Sequence, residues 1–136
     1  MNENERRPDF TGVWELNLAK SVMRWRLPQR MLVTIEHREP ELVQRIAFID
    51  AEGRETQMTL TFHCAGVRVH PVGTAELRTE GRWEGRELLL ESWMEAAGRK
   101  VHYKDYWSVS EDGKTLTMEH RDDDMAGQIS VLEKIG

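Results

Sequence analysis

Two kinds of side chain in this sequence could do chemistry in combination: five histidines, and the serine, tyrosine and carboxylates that alternate along the same stretches. His37, His63, His70, His102 and His120 share no H-x-x-x-H or Cys/His spacing of the sort that closes around a metal ion. The alternation around them turns His63, His70 and His102 toward solvent, and leaves His37 and His120 facing inward. His120 is the histidine able to serve as acid, base or hydrogen-bond partner to a bound molecule. Ser92 as nucleophile and Asp105 as orienter would complete an acyl-transfer set, but no nucleophile-elbow motif accompanies them. A lone inward histidine is more often a hydrogen-bonded wall residue than a haem ligand. The stretch "RDDDMAGQ" holds three carboxylates without the ordered oxygen ligands of a calcium loop, and reads as an acidic turn. Cys64 is the only cysteine, which excludes an intramolecular disulfide and suits a small buried apolar residue. No metal, no cofactor and no assigned catalytic residue follow from these patterns.

The elements that position these residues repeat with a period of two. Met58, Leu60 and Phe62 alternate with Gln57, Thr59 and Thr61; Val67, Val69 and Pro71 alternate with Arg68 and His70. Val101, Tyr103, Asp105, Trp107 and Val109 alternate with polar neighbours, as do Leu116, Met118 and His120. Such patterning predicts strands with one covered and one wet face. Turn signals separate them: "DAEG", "AG", "EG", "AAG", "EDG" and "DDDMAG". Ten strands result, roughly 11–18, 30–37, 42–49, 55–63, 67–72, 74–80, 87–95, 100–109, 114–121 and 128–135. Loops this short make sequence neighbours spatial neighbours, hence a meander. The fold expected is all-β, an up-and-down antiparallel barrel of about 8–10 strands whose closure removes its exposed edges. An open sandwich is the alternative.

Turn lengths predict registers. The 96–99 turn sets Ser92 opposite Tyr103, and the 110–113 turn sets Tyr103 opposite His120. A polar row, Ser92–Tyr103–His120, would then cross three strands near the open mouth, with Asp105 one step below. A ligand anchored there would lay its body against Phe62, Leu90, Met94 and Met118. Segment 19–29 would cross the mouth, with Trp25 as an apolar cover and Arg24 and Arg26 beside it. At the other end "TGVW" builds a floor. Gly12 permits close backbone approach, and Trp14 and Trp107 fill the taper.

Composition bounds the rest. At 136 residues, residues 11–136 make a single barrel domain behind a flexible tail, 1–10. The net charge of -5 excludes a polyanion such as nucleic acid as partner. No apolar run is long enough to span a bilayer. The residues present carry no signal peptide, which predicts a cytoplasmic protein, or a periplasmic or secreted one if a leader has been removed. Oligomeric state is not legible.

"TGVWELN" resembles the G-x-W opening of lipocalins and fatty-acid-binding proteins. With "HPVG" and "SVSEDGKTLTM", the longer "DFTGVWELNLAKS" resembles a family of uncharacterised bacterial lipocalin-like (calycin-type) small β-barrels. The resemblance implies a barrel and, by analogy, a small apolar ligand. It also implies a basic side chain over the Trp14 ring, as in lipocalins, and Lys134 on the last strand is the nearest candidate by topology. The chain departs from fatty-acid-binding proteins in two places. "ISVLEKIG" lacks their Arg-x-Tyr carboxylate clamp, and "AKSVMRWRLPQ" is too short for their two-helix lid. Three functions compete: a binding module for a small, mostly apolar ligand in the lumen; a filled barrel acting as a structural or interaction module; and a small enzyme using His120.

Overall fold

A computed structural model describes residues 7–23, 27–122 and 127–136. Ten antiparallel strands are present: β1 (Gly12–Leu16), β2 (Arg30–Arg38), β3 (Glu41–Ile49), β4 (Glu55–His63), β5 (Val67–Val72), β6 (Ala75–Glu84), β7 (Glu87–Ala96), β8 (Arg99–Val109), β9 (Thr115–Asp122) and β10 (Gln128–Lys134). They lie within a few residues of the expected positions, because alternation and turn chemistry both act over short distances. Trp25 and most of the acidic turn lie outside the described residues, as do residues 1–6.

The strands form one sheet in the order β4-β3-β2-β1-β10-β9-β8-β7-β6-β5. β1 pairs with β10, Trp14 lying opposite Lys134, so the first and last strands meet as expected. The seam falls elsewhere. β4 and β5, consecutive in the chain, stand at the two ends of the order, so the barrel is nearly rather than fully closed. This corrects the expectation that closure removes every edge. A sharp turn at 64–66 carries the chain away before the two strands can pair. Cys64 N–H donates to the Pro40 carbonyl and Gly81 N–H to the Gly66 carbonyl.

Side chains take over at the seam. His70 Nε2 donates to the Thr61 carbonyl oxygen at 2.8 Å, and Arg68 Nη1 reaches Glu41 Oε2 at 3.3 Å. Backbone groups along an open edge need such partners or water. Gly81 is required here, because a Cβ at this position would run into the backbone carbonyl of His63. β5 therefore presents the face opposite to that expected. Arg68 pairs with Thr79 and His70 with Leu77, both inward-facing, while Val67 and Val69 point out, 44% and 51% exposed. His70 lies half-buried in the seam instead of facing solvent.

The closed end is packed solid. Phe10, Trp14, Val33, Ile35, Leu42, Leu88, Leu90, Trp107, Leu116 and Leu132 are all buried there. Phe10 had been read as part of a tail, but no part of it is exposed. Its ring meets His37 at 5.5 Å, Trp83 at 5.9 Å and Trp107 edge-on at 5.7 Å. Trp14 Nε1 donates to the Phe10 carbonyl at 3.0 Å, which satisfies the one polar atom of the buried indole. Lys134 Nζ sits 5.8 Å from the Trp14 ring centre, the contact expected from topology. Gly12, at φ +152°, has Lys134 Cε and the Gly136 carbonyl where a Cβ would stand.

Candidate functional site

Successive rungs of the inner wall place the polar residues. The upper rung runs Thr79–Ser92–Tyr103–Asp122, and the next Gly81–Leu90–Asp105–His120–Gln128. Ser92 does face Tyr103. Tyr103, however, faces Asp122 and not His120, which corrects the expected row by two residues. The cause is the β8–β9 turn. Ser110 N–H bonds the Thr115 carbonyl, and Asp112 Oδ1 accepts from both Ser110 Oγ and the Lys114 N–H. This closed turn absorbs two residues more than the short loop assumed. A slip of two preserves the inward face, so the same side chains still meet.

They meet as two linked pairs. Thr79 Oγ1 and Ser92 Oγ lie 3.1 Å apart, both buried. His120 Nδ1 lies 2.8 Å from Asp105 Oδ1, and its Nε2 is 3.9 Å from Asp122 Oδ2. The Tyr103 ring bridges the pairs, its centre 5.0 Å from that of His120. The hydrogen bond that His120 donates to Asp105 raises the proton affinity of the imidazole above its usual value, against burial, with the Asp105 and Asp122 charges adding to the rise. Burial pushes the Tyr103 hydroxyl up; hydrogen bonding with Ser92 opposes this and the Asp105 charge reinforces it. The Ser–His–Asp set weighed for acyl transfer is not assembled, since Ser92 bonds Thr79 while His120 bonds Asp105.

A cavity of about 190 Å³ lies against this cluster, lined by Gln44, Ile46, Leu60, Phe62, Leu77, Ser92, Tyr103, Asp105, Trp107 and Met118. Of the expected ligand contacts, Phe62, Ser92, Tyr103 and Met118 line it. His120 stands behind Asp105. Leu90 does not line the cavity, because it is packed into the solid core below. Met94 borders a groove of about 790 Å³ that spreads over the outer face of β5–β8 beside Val67, Val69 and Trp93. Trp107 was expected as floor and serves as the boundary between floor and cavity. Gln44, 5% exposed, was missed; its signal is a polar residue in an inward alternation with Leu42 and Ile46. Toward the mouth, Met23, Leu27, Pro28, Met31 and Phe48 line a second apolar hollow of about 200 Å³. Val22 bridges to Ile129, so the described part of segment 19–29 runs beside β10 at this end.

One cluster was not foreseen. His37 Nε2 lies 2.7 Å from Glu39 Oε1 and 3.8 Å from Cys64 Sγ, a grouping tight enough to suggest a metal. The Phe10 amide argues otherwise. It donates to His37 Nδ1 at 3.1 Å, so Nε2 carries the ring proton and donates to Glu39. A metal on Nε2 would force that proton onto Nδ1, against another N–H. Burial, helped by Glu39, pushes the Cys64 thiol up to about 12, so it stands protonated within the cluster. The cluster works as a hydrogen-bonded plug.

No protein-family model matches the chain, and no curated protein matches its sequence. Its backbone is similar to several solved barrels. A secretory abundant heat soluble protein from Ramazzottius varieornatus superposes with a TM-score of 0.67 at 12% identity, over 98% of this chain and 100% of that one. Fatty-acid-binding protein 1 of Echinococcus granulosus gives 0.66 at 11% identity, over 93% and 98%. The fluorescent protein UnaG gives 0.62 at 9%, over 93% and 97%. At such identities the likeness establishes a calycin-type barrel fold.

Proposed function

We propose that this chain is a binding module for one small, mostly apolar molecule held in the barrel lumen. The observation that carries the reading is the cavity beside the Ser92–Tyr103 and Asp105–His120 pairs, apolar on one side and polar on the other. Concave, largely apolar sites with a few convergent polar groups are the usual form of small-molecule sites. Ile46, Leu60, Phe62, Leu77 and Met118 would hold the ligand body, and Ser92, Tyr103 and Asp105 its polar end, with His120 fixing Asp105. The volume lies below the roughly 300 Å³ at which drug-sized sites begin, so the ligand is small. Similarity to a barrel titled a fatty-acid-binding protein agrees with a lumenal ligand. Whether Trp25 covers the mouth belongs to the same proposal.

The filled-barrel reading draws on the solid closed end, and a cavity-blocking variant separates the two. An apolar fluorescent probe should enter the wild type, whereas Leu60→Trp should exclude it while retaining the β-sheet circular dichroism. Exclusion of the probe by the wild type would remove the lumenal reading. Native mass spectrometry of protein purified from its own host would then show whether a small molecule accompanies the chain.

A further inference from the structure

The charges on the cavity wall narrow the chemistry of the ligand, given the lumenal reading above. Among the residues lining it, one is charged, and it is the carboxylate of Asp105. The other polar lining groups, Gln44, Ser92 and Tyr103, are neutral donors and acceptors. Among the described residues, no lysine or arginine lines the cavity. The described cations near this wall are committed: Arg68, inward on β5, reaches Glu41 at 3.3 Å, and His120, when protonated, is held by Asp105 at 2.8 Å with Asp122 3.9 Å from its Nε2. Lys134 is spent at the far end, over the Trp14 ring.

A carboxylate pushed into this space would meet Asp105 across a wall whose described residues offer no free cation to receive it. Burying a charge without a partner is costly, and a like charge nearby makes it more so. An ammonium or another cationic donor meets the reverse situation. It takes a charge-assisted hydrogen bond from its own N–H to Asp105, with Ser92 and Tyr103 oxygens as further acceptors. We propose that the lumen selects ligands whose polar end is a cationic hydrogen-bond donor, such as a small alkyl amine, and rejects fatty-acid-type anions. Asp105 is the residue that determines this specificity.

Isothermal titration of the full chain at neutral pH with octylamine, octanol and octanoate tests it, because the three share one apolar body. Octylamine should bind about tenfold or more tightly than octanoate, with octanol between them. Asp105→Asn should bring octylamine down to the octanol affinity and leave octanol little changed. Octanoate binding as tightly as octylamine would overturn the proposal while leaving the lumenal reading intact. A preference for the amine that survives Asp105→Asn would also overturn it, assigning selectivity to the overall negative charge instead. If none of the three binds, the lumenal reading itself falls and this inference with it. Should Asp105→Asn not fold, the wild-type ranking repeated at high salt decides: a preference that persists supports the close contact with Asp105, and one that is screened away overturns the proposal.

Discussion

The two ends of this barrel are built from the same alternation of inward side chains and come out opposite in character. At the closed end most inward positions carry a large ring or branched chain, and several polar atoms among them bond one another. Trp14 Nε1 reaches the Phe10 carbonyl, the Phe10 amide reaches His37, and His37 reaches Glu39. Toward the mouth the inward positions pass to Ser92, Tyr103, Asp105, Met118 and His120, shorter or polar groups that leave space between the walls. β4 marks the change along a single strand. Phe62 is buried, whereas Met58, four residues nearer the mouth, is 46% exposed. The packed core and the proposed binding site thereby occupy separate ends of one sheet. Packed aromatic cores contribute most of the first, and unfilled polar-apolar space is the condition for the second.

The largest effect that tests this division is at the floor. Trp14→Ala empties a fully buried aromatic site and should destabilise by about 3–5 kcal/mol in denaturant melts. Probe uptake by the fraction still folded should be unchanged. A variant melting like the wild type would break the comparison, since the ring could not then be bearing the closed end. Tyr103→Phe comes next and should show the opposite profile. It removes one hydroxyl bonded to Ser92, and should weaken binding of a polar-ended ligand by about 1–1.5 kcal/mol, with a comparable or smaller change in stability. Equal affinity in Tyr103→Phe would remove this hydroxyl from the anchor.

The smallest effect is the pH response of the mouth. His120 faces Asp105, Asp122, Tyr103 and Gln128, and its proton affinity is raised in the folded state, chiefly by the Asp105 hydrogen bond. The stabilisation from that pair is fully present below about pH 6.5, the ordinary imidazole value, and is lost as pH climbs through the raised one. His120→Gln should flatten this part of the stability profile, while Trp14→Ala should lower the whole profile without changing its slope there. An unchanged slope in His120→Gln would show that the pair does not couple to folding.

What the sequence determined by itself is whatever depends on nearest neighbours. Side chains alternate across a strand for steric reasons, and Gly, Asp and Asn punctuate turns for conformational ones. From these alone the ten strands, the β1–β10 contact and the inward set Phe62, Ser92, Tyr103 and Met118 were legible, and the resemblance to lipocalins added the Lys134–Trp14 contact. Tertiary structure decided what depends on how turns close and where the sheet ends meet. The Ser110–Thr115 turn absorbed two extra residues, moving His120 from Tyr103 to Asp105. The seam fell between β4 and β5, so β5 shows its valines to the outside and its histidine to the Thr61 carbonyl, a reversal no local pattern encodes. Phe10 stands ahead of the first strand, outside any alternation, and is buried because the tapered floor leaves a ring-sized space among His37, Trp83 and Trp107. The cavity belongs to this second class, because empty volume is a property of opposing walls and no single strand carries it.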